Sequence, residues 1–261
     1  MRRARLFFVS VTFLLSCIFV AGCGKPELYS KWRDRQIAID GKFEDWQNEI
    51  AYYDKNTRVS IGVINDDAYL YICLITRNRG LMEQLTRAGF SVWFDPDGGR
   101  AKVFGIHFPL GIQGKGMPMG KRSEVNLFQE SWQQIEIIGP GKEEKYTTSI
   151  EEIEKDGISV KLGMLRGYFI YELKVPLVEN DQHPYYIGAQ NKLIGMGFET
   201  SLINKEMPPG MGMPGRGGMR GAPGGGGGGM PGGGMGGMPG GKPFDDENRF
   251  QLWMTVMLSS G

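Results

Sequence analysis

Three tryptophans, Trp93, Trp132 and Trp253, point most directly to a ligand in this 261-residue chain. Within its own segment, each falls on the side opposite the main run of alternating apolar residues. An indole facing out of a sheet is either covered by another element or offers its flat face to a ligand. Such faces suit the apolar C–H faces of pyranose rings, with nearby polar groups meeting the hydroxyls. His107 shares the off-core side of its segment and would supply one such group. His183, the only other histidine, precedes Pro184 in a turn. Asp95 and Asp97 bracket Pro96 in a D-P-D-G turn and would offer two oxygens to calcium. A hard cation takes six to eight oxygen ligands, so the pair reads first as a turn stabilised by Asp side chains.

Catalytic patterns are missing from the sequence. It contains no G-x-S-x-G, H-E-x-x-H, C-x-x-C or Walker loop, and Gly114–Gly120 fits neither phosphate fingerprint. The methionine pairs Met211/Met213 and Met235/Met238 carry soft thioethers that suit Cu(I). No His or Cys accompanies them, and glycine spacing gives no preorganised site. Carboxylates are plentiful, but sequence alone does not select the pair that glycoside hydrolysis requires. The expectation is a chain that is not an enzyme.

Short alternating segments must position these residues. Val59, Ile61 and Val63 share a face, as do Phe90, Val92 and Phe94, and Phe104, Ile106 and Phe108. The same holds for Phe169, Tyr171, Leu173 and Val175, and for Phe250, Leu252, Met254, Val256 and Leu258. Ala68–Ile75 is apolar on both faces, as a central strand would be. Weaker strands are expected at Ile37–Ile39, Trp132–Ile138, Ile158–Leu162 and Tyr185–Phe198. Turns punctuate them at Asn65–Asp67, Asp95–Gly99, Gly139–Gly141 and Asp156–Gly157. Two short helices are expected, Leu81–Ala88 between glycines and Ile150–Lys155 capped by Ser149. The fold class is all-β: an antiparallel β-sandwich in one domain, residues 36–261.

Glycine is distributed unevenly, with 19 of the 41 between Met207 and Pro243, among 7 Met, 7 Pro and three charges. That composition cannot bury a core and is expected to be a disordered insert before the last strand. The N-terminus is equally distinctive. Arg2, Arg3 and Arg5 precede an apolar run, Leu6–Val20, too short for a comfortable transmembrane helix. It ends Val20-Ala21-Gly22-Cys23, which resembles the lipobox of bacterial lipoproteins. The resemblance implies a signal peptide over 1–22, lipidation of Cys23, a tether over 23–35 and a place in the cell envelope. Gly24, where Asp would favour inner-membrane retention, leans towards the outer membrane. Without the signal the chain has 27 basic and 29 acidic residues, and Cys73 is the one cysteine left unmodified. A near-neutral balance excludes a general nucleic-acid binder.

Three stretches resemble family 9 carbohydrate-binding modules. They are Ile39-Asp40-Gly41-Lys42-Phe43-Glu44-Asp45-Trp46, Asn65–Ile72 with its D-D-x-Y-L-Y pattern, and Phe90–Gly99 with its D-P-D-G turn. Tyr171–Pro176 is similar to a later Y-E-x-x-I-P strand of the same modules. The resemblance implies a β-sandwich shared with DOMON-type sugar- and haem-binding domains. It implies a glycan or envelope-protein partner, and no cofactor unless calcium at Asp95 and Asp97. Its DOMON side implies an alternative, b-type haem between His107 and Met164 or Met196. A structural accessory subunit is a third reading. Gly41 and Trp46 read as fold-forming, the first a turn residue and the second an anchor to the core.

Overall fold

The computed structural model describes residues 26–112, 131–139, 145–201 and 249–261. The chain starts with β1 (Glu27–Tyr29) and β2 (Lys31–Trp32), then a 3-10 turn at Glu44–Trp46. Three longer strands follow, β3 (Ile50–Asp54), β4 (Val59–Asn65) and β5 (Tyr69–Thr76), and then helix α1 (Arg79–Arg87). Next come β6 (Phe90–Asp95), β7 (Phe104–His107), β8 (Gln134–Ile138), β9 (Lys145–Ser149) and helix α2 (Ile150–Lys155). The last four are β10 (Ser159–Leu165), β11 (Tyr168–Pro176), β12 (Leu193–Thr200) and β13 (Gln251–Met257).

Two sheets hold these strands. The larger runs β1-β13-β12-β6-β7-β8-β9, and the smaller runs β10-β11-β5-β4 with β2 and β3 sharing the far edge of β4. Every pairing is antiparallel except β1 with β13 and β2 with β4. The molecule is therefore a β-sandwich, as the alternation predicts. Val92, Phe94, Ile106, Met196 and Val256 from the larger sheet pack with Ile61, Ile72, Tyr171 and Leu173 from the smaller in one core. Period-two side-chain direction produces this, because burying one face of each sheet commits every second residue.

The helices end where their caps dictate. Asn78 accepts the Leu81 N–H at 3.3 Å to start α1, and Ser149 accepts the Glu152 N–H at 3.1 Å to start α2. Gly89 at φ +91° and Gly157 at φ +90° follow their ends, in the left-handed region that glycine adopts without strain.

β5 and β11 are buried on both faces because residues 33–49 lie across the outside of the smaller sheet. Trp46 is fully buried there with Ile37, Ile64, Tyr71, Cys73 and Ile170. This differs in two ways from the sequence expectation. Ile37–Ile39 is not a strand but part of that covering segment, and Trp46 anchors it to the outer face of the sheet. Nor are residues 27–32 a tether, since Leu28 is in the core and both β1 and β2 pair with interior strands. The expected strand at Tyr185–Phe198 begins only at Leu193. The insert at 207–243, the signal segment 1–22 and Cys23 lie outside the described residues.

Candidate functional site

Trp93 and Trp253 both face outward from the larger sheet, and their register places them in one row. Trp253 on β13, Gly197 on β12, Trp93 on β6 and Gly105 on β7 are successive cross-strand partners. Each indole lies over a neighbouring glycine. A Cβ added to Gly197 would come 2.5 Å from Trp253 Cε2, and one added to Gly105 would come 2.6 Å from Trp93 Cε3. Aromatic side chains shield strand glycines in this way and fix register. Both tryptophans are only 9% exposed. Trp93 Nε1 donates to Glu199 Oε1 at 2.7 Å, and Lys102 Nζ lies 5.1 Å from the Trp93 ring centre. Glu199 also takes Lys102 at 2.5 Å and Arg249 on its second oxygen. Both indoles are packed, and Trp93 is also pinned by its hydrogen bond. Replacing either by Ala is expected to cost about 3–5 kcal/mol of stability by opening a cavity, read from urea unfolding. A loss below about 1 kcal/mol in both would mean that the row is an open platform.

His107 lies one row away on the same outer face, between Ser91 and Glu136. Its Nδ1 is 3.3 Å from Glu136 Oε2 and its Nε2 is 3.3 Å from Ser201 Oγ. The hydrogen bond from His107 holds the Glu136 carboxyl below its ordinary range, with Lys145 adding to the effect. Met196 is fully buried in the core, on the inner face of the sheet whose outer face carries His107. Opposite faces of one sheet cannot ligate one iron. Met164 is exposed on β10 in the other sheet. The geometry therefore disfavours the haem pairings expected from sequence.

Asp95 is buried, and its two oxygens accept the Asp97 and Ala101 N–H groups at 3.0 and 2.7 Å. That is the chemistry of a turn. Among the described residues no three His, Cys, Asp or Glu side chains gather as a metal site.

Trp132 stands apart from the other two tryptophans. It precedes β8 and is not part of a strand, since pairing begins at Gln134. It is 40% exposed and lines a cleft of about 540 Å³. The cleft lies where the β8–β9 side of the larger sheet meets β10 of the smaller, with α2 between them. Phe108, Ile150, Val160 and Leu162 supply its apolar wall, and Gln133, Ser149, Glu151, Glu154 and Lys161 its polar groups. The Ile150 N–H donates to the Gln133 carbonyl at 3.0 Å, which ties the start of α2 to the strand beside Trp132. A half-exposed indole beside amide, hydroxyl, carboxylate and ammonium groups can bind a neutral polyhydroxylated ligand without doing chemistry on it. Sequence reasoning included Trp132 but missed its polar neighbours, because Glu151, Glu154 and Lys161 read as ordinary surface charges.

A second polar centre, Glu172, was also missed. It is fully buried on β11 and accepts the Asp40 and Gly41 N–H groups at 2.9 and 2.5 Å and Trp46 Nε1 at 2.7 Å. Gly41 at φ +80° is in van der Waals contact with Gly163, so close that neither admits a side chain. This latch explains the I-D-G-x-x-x-D-W pattern as fold-forming.

Solved structures of a family 9 carbohydrate-binding module from Caldicellulosiruptor kristjanssonii are similar to this chain at 11% identity. The complex with glucose gives a TM-score of 0.39 over 90% of this chain and 96% of that one. The complex with cellotriose gives 0.38 over 90% and 94%. No family model matches the chain. No curated protein matches it.

Proposed function

We propose that this chain is a non-catalytic carbohydrate-binding domain of the bacterial envelope, held to the membrane, most simply the outer one, by a lipid on Cys23. The observation that carries the binding half is Trp132, an exposed indole in a cleft lined with hydrogen-bonding side chains. The resemblance of three sequence stretches to sugar-binding sandwiches supports the same reading. So does the contrast with Trp93 and Trp253, whose faces are already spent on glycines.

Titration calorimetry against soluble oligosaccharides tests this. Trp132→Ala is expected to remove about 1–3 kcal/mol of binding, a tenfold to hundredfold loss in affinity, with little change in stability. A panel with no binder, or a binder indifferent to Trp132→Ala, would sink the reading. The anchoring half is carried by Val20-Ala21-Gly22-Cys23 after a basic start and an apolar run. Cys23→Ser is expected to release the protein or leave an unprocessed precursor, since stable anchoring takes more than one acyl chain. Metabolic lipid labelling of the natural chain checks it, and a negative result removes the anchor.

A further inference from the structure

We propose that the β1 edge of the larger sheet rests directly on the bilayer, with Tyr29 and Met257 in the lipid headgroup layer. This rests on the lipid-anchor reading above. The first reason is the shortness of the free chain. The sandwich holds the backbone from its first described residue, since the Thr255 N–H donates to the Pro26 carbonyl at 3.0 Å and the Ser30 N–H to the Met257 carbonyl at 3.0 Å. Leu28 between them is a core residue. Only three residue steps separate Cys23 from Pro26, and a fully extended chain spans about 3.3–3.6 Å per residue. A lipidated Cys23 therefore keeps Pro26 within roughly 11 Å of the bilayer surface. There is no stalk on which the domain could stand away.

The second reason is what that edge presents. β1 is the outermost strand of its sheet, and Tyr29 is the direct partner of Met257. Tyr29 is 67% exposed and Met257 38%. β3 runs close to β1 and carries two more exposed apolar side chains, Ile50 and Tyr53. Tyr, like Trp, is enriched at the headgroup level, with an apolar body and a polar tip. Within β1 Glu27 is the exposed charge, and Lys31 on the next strand is paired with Glu49 at 2.8 Å. The contact proposed here is made by uncharged side chains, Tyr29 and Met257, so a zwitterionic lipid surface is enough to test it.

Site-specific quenching on the full, processed chain tests this. With Cys23 acylated and the Cys73 thiol buried, a single introduced cysteine takes the fluorophore. Tyr29→Cys and Met257→Cys report the proposed contact. Thr147→Cys on β9 is the control, six strands away along the sheet, or about 29 Å. The labelled proteins are placed in phosphatidylcholine vesicles carrying a headgroup nitroxide, and mass spectrometry reads the acylation of Cys23. The expected result is acylated protein quenched at least threefold more at positions 29 and 257 than at 147. Acylated protein with equal or weaker quenching at 29 and 257 overturns this inference and leaves the anchor standing. Protein without acyl chains overturns both.

Discussion

A chain cut before Phe250 is expected not to fold. β13 is an interior strand, hydrogen-bonded to β1 on one side and β12 on the other. Its removal strips Phe250, Trp253, Met254, Val256 and Leu258 from buried positions. At about 1.5–3 kcal/mol for each large apolar side chain, the loss is roughly 7–15 kcal/mol, which matches the whole stability of a typical domain. Arg249 would be lost from Glu199 if the cut included it, and β1 would lose the strand it pairs with in the sheet. The opposite result is expected when Met207–Gly241 is excised and the ends are joined by a short turn. The Thr200 N–H donates to the Phe250 carbonyl at 3.1 Å, so the two strands already meet where the excised segment would leave and return. Halving a loop changes closure entropy by only about 0.6 kcal/mol, in the stabilising direction. Circular dichroism melts decide both: a cooperative transition in the truncated chain, or its loss in the excised one, would show that the last strand and the insert have been read wrongly.

What could be read from sequence follows from which residues repeat a pattern. The long strands β4, β6, β11 and β13 were legible because several alternating residues commit to one core face, and β5 because it is apolar on both. β1 and β2, of three and two residues, are too short for any period, so only their partners in the fold reveal them. β9 is Lys145-Tyr146-Thr147-Thr148-Ser149, an edge strand with nothing to alternate. Ile37–Ile39 alternates well enough, yet it serves as cover for a sheet face, and cover has the same composition as a strand. Parity correctly placed Trp93 and Trp253 on the outside of their sheet. It could not tell covered from open, because the answer lies in Gly197 beneath Trp253 and Gly105 beneath Trp93, each on a neighbouring strand and outside the tryptophan's own segment. For Trp132 parity did not apply, since the residue sits ahead of its strand. Its cleft joins segments that only the folded edges bring together.

Between about pH 5 and pH 8 the stability of this protein is expected to fall as pH rises, and Glu172 is the reason. Burial raises its carboxyl to about 7 from an ordinary 4.5, and the N–H donors of Gly41, Trp46 and Asp40 offset only part of that. A raised folded-state value means that the folded chain holds the proton more tightly than the unfolded one. The contribution is complete below about pH 4.5 and is lost as pH climbs through 7. The gap amounts to roughly 3 kcal/mol, or about 6–12 °C in thermal midpoint for a domain of this size. Asp40, Glu49, Asp54 and Glu136 are held below their ordinary range and act with the opposite sign, so their contribution disappears only at the acid end. Of these five carboxyls, Glu172 is the one whose contribution changes in the neutral window. Glu172→Gln is expected to flatten the profile across it and to lower stability at acid pH, since the amide turns a donor towards backbone N–H groups that need an acceptor. Trp46→Ala is expected to lower stability at every pH by at least about 3–5 kcal/mol, leaving a cavity beside Gly62 and an unpaired carboxylate oxygen. Melts of the three proteins at pH 5.5 and 8.0 provide the comparison. Parallel profiles for the natural chain and Glu172→Gln would place the neutral-range titration on another group. A wild-type midpoint that rises with pH would mean that the three N–H donors outweigh burial, leaving the Glu172 latch ionised throughout.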